Sequence, residues 1–298
     1  YGTRLSSNHV LFTSGGRLAL FLAFVSLPKD SKVGIISPDW PAYRDLCGFL
    51  SFKTVFFNTK LENGWEPDLS EIAESGCNAL VLNYPNNPTG KILNPRLFDE
   101  LMDLAKNHNM KIISDEVYSD FLLDGSSFKS VLQTERSADF IFTTSLSKSY
   151  SMTGYRAAYL VSDERTVSRL SQINGLILTS APEFVQHGAI AALKSNEYVR
   201  SKVEMVKKRL DAACKTLKEI GADFYRSDGS LYLFPTLNTR NEKALDANQF
   251  ALDLLEKEHV SVTPGSVFGH RYGEYVRVTL LQSEERIREG IEKMARLL

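Results

Sequence analysis

Cysteine, long hydrophobic runs and net charge are all scarce in this sequence. Its three cysteines, Cys47, Cys77 and Cys214, are odd in number and show no C-x-x-C spacing. That argues against a disulfide framework and for a reducing compartment, the cytoplasm. The longest apolar run, LALFLAFVSL from Leu18 to Leu27, is too short to span a bilayer, and no charged-then-apolar leader opens the chain. A formal net charge of −1 argues against a protein built mainly around nucleic acid or an anionic membrane. The histidines, His9, His108, His187, His259 and His270, are scattered, and none belongs to an H-E-x-x-H. GSVFG at Gly265 is not G-x-S-x-G, and neither a P-loop nor G-x-G-x-x-G occurs. Zinc, serine-hydrolase and other metal-centred readings are therefore not expected.

Present instead is the composition of a globular protein: 298 residues, 43% hydrophobic and 24% charged. Short apolar runs rich in β-formers fall at Lys32–Ser37, Lys53–Asn58, Asn78–Tyr84, Met110–Ser114, Asp139–Thr144 and Arg156–Val161. Helical patterns lie between several of them. Residues 95–109 open on a proline and place Leu97, Leu101, Leu104 and Ala105 on one face. This alternation predicts an α/β fold with a mostly parallel sheet covered on both faces. After about residue 195 the pattern changes. Residues 196–221 read as one long helix, with Val199, Val203, Val206, Leu210, Ala213, Leu217 and Ile220 as its stripe and Gly221 as its stop. Shorter strands at residues 231–237, 260–263 and 275–280 follow, with helices at 246–258 and 284–298. We expect a large domain over residues 1–198 and a smaller C-terminal α+β domain over 199–298.

The polar motifs gather at the ends of the apolar runs. Taken singly, each has an ordinary explanation. NYPNNPTG, residues 83–90, is made of turn residues. The aspartate of SDEVY, Asp115, could cap a helix. The Gly-Gly of TSGGRLAL leads into a helix, whose free N–H groups attract anions. Trp40 sits in a proline-flanked loop, Lys148 in a run of small hydroxyl residues, and Arg156 and Arg277 could be surface arginines. Together they are harder to dismiss, because a parallel sheet would bring strand ends to one edge, where ligands bind. A phosphate cradle, an aromatic plate, an amide, a carboxylate, a lysine and two arginines suit pyridoxal 5′-phosphate.

NYPNNPTG, SDEVY, SLSKSYSMTGYR and GSVFG followed by YVRVTL occur here in an order that resembles the class I/II aminotransferases of the aspartate aminotransferase superfamily, which are fold-type I pyridoxal-phosphate enzymes. The resemblance runs from about Asn8 to the end of the chain. It implies a seven-stranded-type sheet in the large domain and a homodimer with shared active sites. It further implies that Lys148 forms a Schiff base with the cofactor and that Ser145, Arg156 and the backbone of Gly15, Gly16 and Arg17 hold the phosphate. Trp40 would stack on the pyridine ring, Asn87 and Tyr118 would bond its phenolic oxygen, and Asp115 would pair with its ring nitrogen. Arg277 would clamp the substrate α-carboxylate through a bidentate fork. The implied reaction is transamination between an amino acid and a 2-oxo acid. A β-lyase on the same pocket and the sensing domain of a transcription regulator are the alternatives. No counterpart of the family's N-terminal arm, which lends a tyrosine to the neighbouring subunit, is identifiable, and Tyr1 is not assigned that role.

Overall fold

The computed structural model describes residue 3 and residues 5–123, 125–134, 139–237 and 245–298; Tyr1 lies outside them. Seven strands form the main sheet: β1 (Val10–Thr13), β2 (Lys32–Ser37), β3 (Lys53–Asn58), β4 (Ala79–Asn83), β5 (Lys111–Asp115), β6 (Phe140–Ser145) and β7 (Ala158–Val161), in spatial order β1-β7-β6-β5-β4-β2-β3. The run β6-β5-β4-β2-β3 is parallel, and β7 is antiparallel to both of its neighbours. The expected mostly parallel α/β sheet is what forms.

Both faces of the sheet are covered, which is why its central strands are apolar at nearly every position. On one face α4 (Pro95–Asn107) lays Phe98, Leu101, Met102 and Ala105 against Leu80, Leu82, Ile112 and Phe142. Asn94 caps that helix by accepting from the Leu97 N–H at 2.9 Å, and Pro95 occupies its first turn, where no N–H is needed. Its apolar stripe is rotated from the expected one: Leu97 and Leu104 flank the contact and are only partly buried. On the other face α1 (Gly16–Val25) and α6 (Glu164–Ile177) pack against Val33, Ile35, Val81, Ile113, Ile141 and Leu160. The remaining helices of this part are α2 (Ala42–Phe49), α3 (Leu69–Glu74), α5 (Leu146–Ser149) and α7 (Glu183–Leu193).

The long helix α8 (Asn196–Glu219) buries Val206, Leu210, Ala213 and Leu217 against Ile287, Ile291 and Met294 of α10 (Glu284–Ala295), while Val199 and Val203 remain partly exposed. Beside them stand α9 (Ala247–Glu258) and a three-stranded antiparallel sheet, β8 (Tyr232–Leu233), β10 (Val276–Thr279) and β9 (Thr263–Pro264) in that spatial order. These strands are shorter than expected. Pro235 has no N–H to pair, which ends β8 early. Val260 and Val262 pack against the core without joining a ladder. The same core takes in Tyr118, Phe121 and Leu123, which follow β5.

Candidate active site

Six stretches of sequence that are far apart in the chain converge on one cavity of about 410 Å³ at the carboxyl edge of the main sheet. It is lined by Gly16, Arg17, Trp40, Asn87, Asp115, Tyr118, Ser145, Lys148, Arg156 and Arg277. Every expected site residue is thus brought together except Gly15, which stands directly behind. Arg156 reaches this edge because β7 runs backwards: the start of an antiparallel strand lies beside the ends of its neighbours.

The lysine side of the cavity is built by the turn from β6 into β7. Ser145 ends β6 and caps α5 by accepting from the Ser147 N–H at 3.1 Å; its hydroxyl also bonds the Ser147 hydroxyl at 2.8 Å. Lys148 on α5 is half-buried, with its Nζ 6.0 Å from the Tyr118 ring centroid. Arg156 adopts a left-handed backbone conformation, φ 57°, which is uncommon for a side-chain-bearing residue. Its guanidinium donates to the Thr153 carbonyl at 2.9 Å and lies against Gly15, where any Cβ would collide with it. Gly15 is itself at φ 94°, so only glycine fits there on both counts. Gly16 and Arg17 then open α1 with N–H groups that have no intrahelical acceptor.

The floor of the cavity is Asp115, the last residue of β5. The Tyr43 hydroxyl donates to its Oδ2 at 2.8 Å, and the Asn83 amide donates to its backbone carbonyl at 3.0 Å. Burial pushes the Asp115 carboxyl up to about 6, against the Tyr43 and Val117 hydrogen bonds and the nearby Lys148 charge, which favour its ionised form. Trp40 is half-buried, edge-on to Tyr43 at 5.6 Å, with the Arg17 guanidinium 5.3 Å from its ring centroid.

The far wall comes from the C-terminal part of the chain. Arg277 of β10 donates to Asn87 Oδ1 at 2.9 Å and to Thr263 Oγ1 at 3.2 Å. Its guanidinium lies 4.3 Å from the Tyr232 ring centroid and 5.0 Å from that of Phe268. Since Asn87 Oδ1 is taken by Arg277 and its backbone N–H by Asn83 Oδ1 at 3.1 Å, the Asn87 side-chain amine is left to donate elsewhere. The Tyr118 and Tyr232 hydroxyls are 3.1 Å apart.

Four cations, Arg17, Lys148, Arg156 and Arg277, therefore face one carboxylate, and among the described residues none of the four is ion-paired. Such a surface suits a ligand with several negative charges. Sequence reasoning passed over Tyr43, Ser147 and Tyr232. Tyr43 and Tyr232 lie on elements whose pairing with the site is purely tertiary; Ser147, one residue before the lysine, was within reach of a closer reading of the motif. No group of three or more metal-ligating side chains occurs among the described residues, and no helix among them is long and apolar enough to cross a membrane.

Comparisons with known proteins identify a family and a fold. The family described as aminotransferase class I and II matches residues 1–294. The aspartate aminotransferase of Sulfurisphaera tokodaii is 34% identical over 296 residues, 96% of this chain and 74% of that protein. The LL-diaminopimelate aminotransferase of Maridesulfovibrio salexigens is 31% identical over 93% of this chain and 71% of its own length. The crystal structure of the aspartate aminotransferase of Thermotoga maritima superposes with a TM-score of 0.89 at 30% identity, covering 98% of this chain and 76% of that one.

Proposed function

The chain belongs to the class I and II aminotransferases, enzymes that move an amino group between an amino acid and a 2-oxo acid, and we propose that it does so with pyridoxal 5′-phosphate held by the residues of this cavity. One observation carries the reading: a lysine, a buried carboxylate and three arginines meet in a single cleft with none of the cations ion-paired among the described residues.

The donor set fits that cofactor. Gly15 lets the Arg156 guanidinium pack against the start of α1, where a Cβ would collide with it, so that the charge stands beside the first N–H groups of the helix. The Arg156 guanidinium, the Ser145 and Ser147 hydroxyls and the first N–H groups of α1 supply charge and hydrogen bonds for it. Trp40 offers a flat face, and Asn87 and Tyr118 offer donors for a phenolic oxygen. Asp115 is matched to a protonated ring nitrogen: a cation beside it offsets the burial that raises its pKa and keeps it ionised at neutral pH. When bound, the cofactor supplies an aldehyde that condenses with amines and a cationic ring that delocalises electrons released at Cα.

Lys148 would hold the cofactor through its amine, and as a free amine it would take the substrate Cα proton as base and give it up as acid. Arg277 would bind the α-carboxylate, with its guanidinium held against the Tyr232 and Phe268 rings. Arg17 is the remaining cation, and we assign it the side-chain carboxylate of an acidic substrate. The names of several relatives, aspartate aminotransferases, support that assignment.

We extend the reading to the assembly. Leu176, 89% exposed, and Ile177 on α6, and Phe184, 72% exposed, Ile190 and Leu193 on α7, are exposed apolar side chains suited to burial against a second copy of the chain. Three buried, unpaired thiols suit a cytoplasmic setting. The division into residues 1–198 and 199–298 is kept as a proposal, supported by the separate three-stranded sheet behind α8.

The deciding experiment is borohydride reduction of the cofactor-loaded protein followed by peptide mapping. The pyridoxyl group is expected on Lys148, and a label on any other lysine overturns the assignment.

A further inference from the structure

Tyr232 touches both ends of the site. It opens β8 and is buried. Its hydroxyl is 3.1 Å from that of Tyr118, and the two rings meet edge to face with centroids 5.7 Å apart. The face of its ring carries the Arg277 guanidinium at 4.3 Å. Its own backbone is tied down, because the carbonyl accepts from the buried Ser227 hydroxyl at 2.5 Å.

Two physical consequences follow from these contacts. Arg277 is bonded to Asn87 and Thr263 but has no carboxylate partner among the described residues. An aromatic face fixes the plane of a guanidinium and attracts its charge, so the fork is presented edge-on without an ion pair to hold it. The hydroxyl pair is also directional. A phenol has one proton to give. If Tyr118 donates into the cavity, it must accept from Tyr232, and the donated proton polarises the Tyr118 O–H further.

We propose that Tyr232 is a positioning residue with two separable roles: its ring sets the plane of Arg277 for the substrate carboxylate, and its hydroxyl directs the Tyr118 proton toward the cofactor's phenolic oxygen. This rests on the cofactor reading given above.

The test separates hydroxyl from ring. Tyr232→Phe keeps the ring and removes the hydroxyl. A weaker Tyr118 hydrogen bond stabilises the negative phenolic oxygen less, so the nitrogen joining Lys148 to the cofactor becomes more basic. The pH at which the loaded protein changes colour should rise by about half a unit. Affinity for a 2-methyl amino acid, which binds but has no Cα proton to lose, should stay within about twofold, because the cation–π contact survives. Tyr232→Leu should weaken that affinity by roughly threefold to thirtyfold. Tyr118→Phe serves as the control. If Tyr118→Phe shifts the colour change and Tyr232→Phe does not, the hydroxyl role is overturned. If neither shifts it, the Tyr118 assignment fails and takes the hydroxyl role with it. If Tyr232→Leu binds the 2-methyl amino acid as tightly as Tyr232→Phe, the ring role is overturned. Should the leucine variant not fold, Tyr232→Met, also without a π face, is measured in its place.

Discussion

Asp115 and Glu116 are adjacent carboxyls with opposite surroundings. Asp115 faces the cavity, whereas Glu116 is buried on the other side beside Leu82, Tyr84 and Phe98. Glu116 Oε1 accepts from the Ser114 hydroxyl and the Val131 N–H, each at 3.0 Å, while Oε2 has no partner. Burial pushes its carboxyl up to about 7. The folded pKa lies above the unfolded one, so the folded state holds this proton more tightly. The stability it contributes is complete below about pH 4.5 and is lost as pH rises through about 7. Glu116→Gln should therefore flatten the fall in melting temperature between about pH 4.5 and 7, measured by thermal unfolding in matched buffers. An unchanged slope would place the titration on another group. SDEVY was legible as a site motif because Asp115 ends an apolar run. The burial of Glu116 was not, because it depends on Val131 arriving from elsewhere in the chain. Arg17 was read as a backbone contributor, and its side chain became informative only once the structure placed it over Trp40. Arg17→Met should lower kcat/KM for acidic amino acids at least tenfold, about 1.4 kcal/mol, and leave alanine nearly unaffected. Equal losses for both would return Arg17 to a cofactor role.

Among the elements, the proposed phosphate end depends on three pieces meeting: the end of β1, the start of α1 and the turn before β7. Gly15 is where the Arg156 side chain packs against the start of α1. Gly15→Ala adds a Cβ that must displace the Arg156 guanidinium and forces φ 94° on a residue with a side chain. We expect a loss of about 1–3 kcal/mol in folding stability together with weakened cofactor binding, read by denaturant titration and by cofactor fluorescence. Unaltered binding would show that the cradle lies elsewhere. The sequence announced most strands of the main sheet, because each is an unbroken apolar run. It could not show that β7 is reversed, since periodicity carries no direction. Helices α2, α3, α6 and α7 were not anticipated. In α7 the apolar residues do not fall on one inward stripe: Val185 and Ala189 point in, while Phe184, Ile190 and Leu193 are exposed.

Across the whole molecule, that outward-facing apolar set predicts self-association. Phe184→Asp combined with Ile190→Asp should shift the chain from dimer to monomer in sedimentation equilibrium, with the circular dichroism of the sheet retained. A parent chain that is monomeric at micromolar concentration would remove the basis for this assembly. The order of strands has a consequence in time as well as in space. Among the described residues β1 pairs only with β7, Val10 with Val161, across about 150 residues of chain. On a ribosome, β1 emerges well before β7 and must wait for it before this pairing can form. The glycine cradle that follows β1 and the arginine that precedes β7 therefore come into being in the same late step. A fragment that ends before β7 can hold Asp115 and Trp40 but lacks Arg156, so on the proposed function the phosphate grip forms only when β1 finds β7.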